Sequence, residues 1–507
     1  MSAAPTAGWL SQPPGGARLA ATVGSAALYA AAFPPLGWWP LAWVALAPLL
    51  WACQGVGPAR GAALGACFGA LAGYGVAPWL PGTVATFFDA SPWVAGGAAA
   101  LVWLLLGGAF TALFGAWVAL ASRRRLPSPA LVALAWGACE LARAHGPVEN
   151  PWALLAYSQA NFLPFAQIAD LIGPFGVGAI LAAANAALLS IVLEGGRRRW
   201  LPAGAMVALT GLACLYGVLR LEQSFDSGPS QRVAVVQGAV PPAQRFQAEH
   251  RNEHLSRYLA LTERAREAGA SFAAWPEFAV EFVPARDPDG YRALRRASNQ
   301  IELLFGALGE RETLLVREPV NAAFLLRGGR EIARYDKVRL MPFSEMRPRW
   351  SPVGSNRFRP GLALTPLPAQ AGALGVLICS EGMHPGHAQA LVASGAELLV
   401  NPANDDWFGS RAAARQQTAA AVFRAIETRR PLLRPSTSGQ SVIVDAHGRV
   451  LARVPYGEPG IAVAEVVAAN TASPYHLLTQ RLPSSAQPWQ WLAFAPLVWW
   501  TRPSKRS

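Results

Sequence analysis

One cysteine, one lysine and one glutamate in the second half of the chain could together carry covalent acyl chemistry. Cys379 ends an apolar run, ALGVLIC, and no other cysteine follows Cys214. A thiolate beside a base is a standard covalent catalyst. A free cysteine is otherwise a small buried hydrophobe, and Cys379 alone leaves both readings open. Lys337, in RYDKVRLMPFSE, is one of two lysines, with Lys505, among 43 basic residues. A lysine kept in an arginine-biased chain marks a place that needs a compact point charge, such as a site for a small oxyanion. The alternative is chance survival of one lysine. Glu277 follows Trp-Pro in WPEF, where apolar surroundings raise a carboxyl pKa and suit a base. Taken alone it is equally an exposed loop glutamate. Base, cation and thiol, each near a strand end in one segment, are stronger together than apart.

The elements that must position them alternate. RVAVVQG, SFAAWP (271–276), IELLFGAL (301–308), NAAFLL (321–326) and EIARYD (331–336) read as strands. So do ALGVLIC (373–379), AELLVN (396–401), PLLRP and QSVIVD. Residues 249–268 and 412–428 read as helices, with another between residues 379 and 396. Strands that are apolar throughout, interleaved with helices, predict a layered α/β domain with covered sheets.

The first half is different in kind. The chain of 507 residues is 52% hydrophobic and 14% charged, whereas soluble domains carry about a quarter charged residues. That excludes a disordered chain and argues against an ordinary soluble enzyme. Residues 1–220 hold five acidic residues of the 30: Asp89, Glu140, Glu149, Asp170 and Glu194. Seven apolar spans are predicted near 17–33, 37–53, 61–80, 93–121, 129–145, 173–193 and 200–219, with an eighth short one at 489–500. Arg60, Arg123–Arg125, Arg197–Arg199 and Arg502 to Arg506 follow alternate spans. The positive-inside rule then puts the N-terminus in the cytoplasm and the large segment outside it. The first span runs into Pro34-Pro35 without a clear cleavage site and reads as a retained anchor. The expected domains are residues 1–220 in the membrane, 221–487 as an extracytoplasmic α/β body, and 488–507 as a final membrane helix with a basic tail. Residues 147–172 read as an interfacial segment packed on the bundle, or as part of a lipid-facing floor for the soluble domain, and Glu140 equally as a functional ionisable group in a span or as a partner of Arg143. The net charge of +13 resides largely in loops between spans, so no nucleic-acid partner is expected.

The three residues, in this order and context, resemble the nitrilase superfamily, whose members share a Glu-Lys-Cys triad on an αββα sandwich. The whole chain resembles the apolipoprotein N-acyltransferase family. The likeness runs through FPPLGWWPLAW, NPWALLAYSQ, ADLIGPFGVG, VVQGAVP, WPE, YDKVRLMPFSE, ICSE, NDDWFG and RAIETRRPLLRPSTSG. It implies Glu277 as general base, Lys337 as oxyanion stabiliser and Cys379 as the acyl-accepting nucleophile. It also implies supporting roles for Glu345 and Glu381, and for Ser380, which stands where the family commonly has tyrosine. Asn404, Trp407 and Phe408, with Asp405, match the family's asparagine-aspartate-tryptophan-phenylalanine segment. Phe246 stands where tryptophan is common, and these positions are expected to touch substrate. Arg339, Ser344 and Gln417 are further departures, where histidine, glycine and histidine are common.

The resemblance implies a monomeric, multi-pass enzyme of the bacterial inner membrane, with its α/β body on the periplasmic side. It would pass a fatty acyl chain from a phospholipid, through a cysteine thioester, to the N-terminal amine of a diacylglyceryl-cysteine lipoprotein. No cofactor is expected. His384 and His387 show no further ligand cluster, so no metal is expected, and no glycine-rich phosphate loop is present. A membrane-tethered amidase using water as acceptor would share the triad. A non-enzymatic receptor or transporter would not need it.

Overall fold

The computed structural model describes residues 14–122, 126–146, 148–193, 200–224, 228–245, 247–312, 316–349 and 357–481. The chain separates into two compact units, one within residues 1–221 and the other spanning Glu222–Gln480.

Apolar runs broken by proline and glycine make the first unit helical. Its main helices are α1 (Gly15–Ala31), α2 (Pro58–Val76), α3 (Leu80–Phe88), α4 (Pro92–Ala121), α5 (Pro129–His145), α6 (Ala169–Leu193) and α7 (Trp200–Leu221). Among the described residues, α4, α6 and α7 are long and apolar enough to cross a membrane. A fourth candidate is α2 with α3, taken as one span bent by 70°. Seven spans were expected here, and length explains much of the difference. Helices α1 and α5 have 17 residues each, which rise about 26 Å against a hydrocarbon core of about 30 Å.

The expected span at 37–53 is instead two short helical pieces, Trp39–Trp43 and Ala47–Ala52. The Asn185 side chain satisfies the backbone groups freed at that break. Its Oδ1 accepts from the N–H groups of Leu46 (2.7 Å) and Ala47 (3.0 Å), and its Nδ2 donates to the carbonyl of Ala42 (3.0 Å). Such internal satisfaction is what irregular backbone requires where water is scarce.

Glu140 does not form the expected ion pair with Arg143. Its Oε1 accepts from the N–H of Leu155 at 2.6 Å, while Arg143 donates to the carbonyl of Trp152 at 2.6 Å. Both side chains thereby fasten the segment after α5. Asp170 is bound by Arg220 (2.7 Å) and by the Tyr216 hydroxyl (2.8 Å). The span expected at 489–500 and the basic clusters at 123–125, 197–199 and 502–506 lie outside the described residues.

The second unit is built on two six-stranded sheets. The first has the order β12 (Gly460–Val467), β1 (Ser230–Gln237), β2 (Phe272–Ala274), β3 (Glu302–Glu312), β4 (Arg317–Arg327), β5 (Arg330–Asp336). The second has the order β11 (Val450–Val454), β10 (Ser441–Val444), β9 (Leu432–Arg434), β8 (Leu398–Val400), β7 (Gly372–Val376), β6 (Leu367–Ala369).

Period-two alternation sends Val233 and Val235 of β1 into one core with Val376, Leu398 and Leu433 of the other sheet. Ala234 and Val236 point the other way, into a second core with Tyr258 and Leu261 of α8 (Arg251–Glu267) and Leu294 of α9 (Pro288–Ala297). The second sheet carries α10 (Pro385–Ala393) and α11 (Arg411–Thr428). The fold is therefore a nitrilase-like sandwich with two packed sheets. The sequence reading lacked α9, whose 10 residues include three arginines and an aspartate, and β6, β11 and β12.

Strand direction sets where loops converge. Strands β1, β2 and β3 run parallel, β4 reverses, and β5 runs with β3 again. The chain therefore leaves β2 and β5 at the same edge of the sheet. In the second sheet β7, β8 and β9 are parallel. Loops at the carboxyl ends of parallel strands are where open α/β sheets place their ligands.

Candidate active site

Glu277 is held by the strand that precedes it. Trp275 is fully buried, stacks on Tyr258 and donates its indole N–H to Thr262 of α8 at 2.8 Å. The next residues lie across Gly306 of β3, whose N–H donates to the Pro276 carbonyl at 3.1 Å. A Cβ at Gly306 would stand 2.5 Å from that carbonyl oxygen and 2.7 Å from the Glu277 Cα. A Gly306→Ala variant is therefore expected to displace the carboxylate while sparing the strand. Alkylation of Cys379 by iodoacetamide should slow by about tenfold or more, with a smaller loss in thermal stability. An alkylation rate and a melting curve on the same preparation check this.

Lys337 follows β5, and its N–H donates to the Asn321 carbonyl at 2.8 Å. Its ammonium lies 3.3 Å from Glu277 Oε1, and 3.0 and 2.9 Å from Glu345 Oε1 and Oε2. The Asn321 side-chain amide joins the same cluster. Its Nδ2 donates to Glu277 Oε1 at 2.7 Å and to Glu345 Oε1 at 3.0 Å. Glu345 closes its own turn by accepting from the Met341 N–H at 2.7 Å. Burial raises the Glu277 pKa, which Lys337 opposes and Glu345 reinforces. The two carboxylates hold Lys337 well above its usual value despite its burial, so it stays a cation.

Cys379 sits just past β7 with φ 51°, in the left-handed region. Its N–H donates to the Pro402 carbonyl at 2.7 Å, and Asn401 Nδ2 donates to its carbonyl at 3.1 Å. The thiol is buried, and the Glu277 carboxylate and the Asn404 backbone N–H lie close enough to act on its ionisation. Burial and then Glu277 push its pKa up, against Lys337. The resting group is therefore a neutral thiol beside an acceptor carboxylate.

Glu381, fully buried two residues on, ties the lysine segment to the cysteine segment. Its Oε1 accepts from the N–H groups of Val338 and Arg339, each at 2.8 Å, and its Oε2 from the Ile378 N–H at 2.7 Å. The Tyr335 hydroxyl lies 3.1 Å from both oxygens and 3.0 Å from His387 Nε2. Burial pushes Glu381 up to about 7 and His387 down to about 3. A histidine lowered on folding binds its proton more readily when unfolded. Its neutral form thus stabilises the unit above pH 6.5, and that contribution is lost as pH falls towards 3. Thermal melts across this range should show wild type losing on the order of 3 kcal/mol more than His387→Gln.

Asn404, Asp405, Trp407 and Phe408 occupy one turn after β8. Asn404 is buried and accepts from Thr437 Oγ1 at 3.0 Å, and Asp405 pairs with Arg434 at 2.7 Å. Trp407 and Phe408 are half-buried, as is Ser380. Gln417 accepts from Arg434 Nη2 at 2.7 Å. Phe246 lies outside the described residues. The structure thus brings together Glu277, Lys337, Glu345, Cys379 and the Asn404 backbone, with Glu381 bracing two of their segments. Sequence reasoning missed Asn321, Gly306 and Asn401. Asn321 had a signal, a lone polar residue in the apolar strand PVNAAFLL.

Among the described residues no group of three or more His, Cys, Asp or Glu side chains is arranged to hold a metal ion. Residues 25–187 match the apolipoprotein N-acyltransferase N-terminal domain family, and residues 232–473 match the carbon-nitrogen hydrolase family. The apolipoprotein N-acyltransferase of Geobacter metallireducens is 32% identical over 468 residues, covering 87% of this chain and 88% of the relative. That of Gloeobacter violaceus is 31% identical over 449 residues, covering 85% and 84%. Among solved structures, Saccharomyces cerevisiae Nit3, a member of branch 10 of the nitrilase superfamily, is 19% identical. It covers 52% of this chain and 98% of its own, with a TM-score of 0.37.

Proposed function

This chain belongs to the apolipoprotein N-acyltransferase family, and from that premise we propose that it moves a fatty acyl chain from a membrane phospholipid to the N-terminal amine of a diacylglyceryl-cysteine lipoprotein. The observation that carries this reading is the convergence of Glu277, Lys337 and Cys379, from three separate loops, into one buried cluster whose members act on one another's ionisation.

Glu277 takes the Cys379 proton as the sulfur attacks an ester carbonyl of the phospholipid. Lys337 and the Asn404 N–H stabilise the oxyanion. Collapse of the tetrahedral adduct expels the lysophospholipid oxygen, which leaves with the proton held by Glu277. The enzyme retains the acyl group as a thioester. The lipoprotein α-amino group then attacks, Glu277 takes the amine proton, and the thiolate departs and is reprotonated. The product is an amide, and the scheme is ping-pong.

A thioester intermediate needs protection from water, which a buried cysteine supplies. In this reading Trp407 and Phe408 help form the acyl-chain pocket, Asn404 and Phe246 bind substrate, and Ser380 supports the site. Glu345 and Glu381 support the base and the two loops. Both substrates reside in a bilayer, which accounts for the helical unit. The chain is read as a multi-pass inner-membrane monomer. Its domains are 1–220, 221–487 on the periplasmic side, and 488–507.

The test is intact mass spectrometry after incubation with phospholipid vesicles. The expected result is a hydroxylamine-labile fatty-acyl mass, mapped to Cys379 and discharged by a diacylglyceryl-cysteine peptide. An adduct discharged only by water would replace the reading with a tethered hydrolase. A folded protein that acquires no adduct would overturn it.

A further inference from the structure

We propose that Asn321 is the residue that orients the base, occupying one carboxylate oxygen of Glu277 so that the other is presented to the Cys379 thiol. This deepens the reading above and rests on Glu277 acting as the base.

The geometry is specific. Asn321 lies in β4, opposite Leu308 of β3, and is fully buried. Its backbone carbonyl holds the Lys337 N–H at 2.8 Å. Its side-chain Nδ2 reaches Glu277 Oε1 at 2.7 Å, closer than the 3.3 Å from the Lys337 ammonium to the same oxygen. Oε1 therefore has two donors, which leaves the remaining oxygen to take the thiol proton. The amide cannot be turned over without harm. Its Oδ1, which has no partner among the described residues, would then face two carboxylates. One asparagine thus fixes the lysine backbone and the carboxylate that the lysine touches. Lysine alone does not set that orientation, because a point charge has little directional preference compared with a planar amide.

Loss of a donor to a carboxylate disfavours its charged form. The groups facing Glu277 are Lys337, Glu345, Asn321 and Cys379, with Glu381 adjoining Lys337. Without the amide, Glu277 should ionise at higher pH. An aspartate in its place can donate only while protonated, and on ionising it adds a third negative charge.

The readout is the pH profile of iodoacetamide alkylation at Cys379, mapped by peptide mass spectrometry on the full-length protein in detergent. It needs no lipid substrate. Wild type should show an inflection set by Glu277, and Glu277→Gln should abolish it. Asn321→Ala should move the inflection up by about one pH unit. Asn321→Asp, close to isosteric and chosen in case the alanine variant fails to fold, should move the inflection up further still, because an ionised aspartate adds a negative charge beside Glu277. A purely structural asparagine would change the melting temperature and leave both profiles where wild type has them, and that result overturns the proposal. If Glu277→Gln keeps the wild-type inflection, the base assignment itself fails, and the role given to Asn321 fails with it.

Discussion

Replacing Lys337 by arginine is expected to abolish acylation of Cys379, with the rate falling on the order of 10³-fold. Charge is conserved in this change, so the expectation rests on shape. The lysine is fully buried, and its ammonium is within 3.3 Å of Glu277 Oε1 and within 3.0 Å of both oxygens of Glu345. A guanidinium is larger and planar, and its fork would pair with one carboxylate at the expense of the other.

Lys337→Ala is expected to fail for a second reason. It leaves Glu277 and Glu345 as neighbouring buried carboxylates without a cation. At an effective dielectric near 20 and a separation of about 5 Å they repel by roughly 3 kcal/mol. One of them then keeps a proton at neutral pH, and the proposed base is the more buried of the two. Single-turnover acylation followed by mass spectrometry reads both variants. Activity in Lys337→Arg within tenfold of wild type would remove the argument from shape.

The largest loss of stability is expected at Glu381. Its two oxygens accept from the backbone N–H groups of Val338, Arg339 and Ile378. Glu381→Ala leaves those three donors buried and unpaired. At about 1–3 kcal/mol for each orphaned group, the loss is about 3–6 kcal/mol, allowing for relaxation. That is a large part of the total stability of a domain. Glu381→Gln keeps one acceptor oxygen and should fall between. The same residue joins the segment after β5 to the segment before Cys379, so the proposed cation and nucleophile should lose their register before the unit unfolds. Limited proteolysis and melting curves measure the first effect. Acylation at a temperature where the variant is still folded measures the second. A Glu381→Ala protein as stable as wild type would show that the described hydrogen bonds contribute little.

These two residues also separate what can be read from a sequence from what cannot. Lys337 was legible because it breaks a composition. In a chain that spends arginine freely, one lysine after a strand calls for a local reason. Cys379 was legible in the same way, as a cysteine at the end of an apolar strand far from the other four. Glu381 carried no such mark. Its importance lies in three N–H groups, two of them about forty residues away in the chain.

Local periodicity determined most of the rest. Apolar runs and their turn residues placed the strands of the α/β unit and separated it from the apolar first half. Hydropathy summed along the chain could not show where a span breaks. Around residues 34–53 prolines and glycine interrupt the helix, and Asn185, far along the chain, satisfies the break.

Side-chain chemistry and the two- or 3.6-residue repeats are properties of a residue and its neighbours, and the sequence by itself determined those: the candidate base, cation and thiol, and most of the strands near them. Sheet order is a property of the whole chain. Only the tertiary structure decided that β5 returns alongside β3, that β12 closes on β1 from 230 residues away, and that Asn321 and Gly306 meet Glu277. Those positions act through distances between loops, and distance between loops is set by which strands pair.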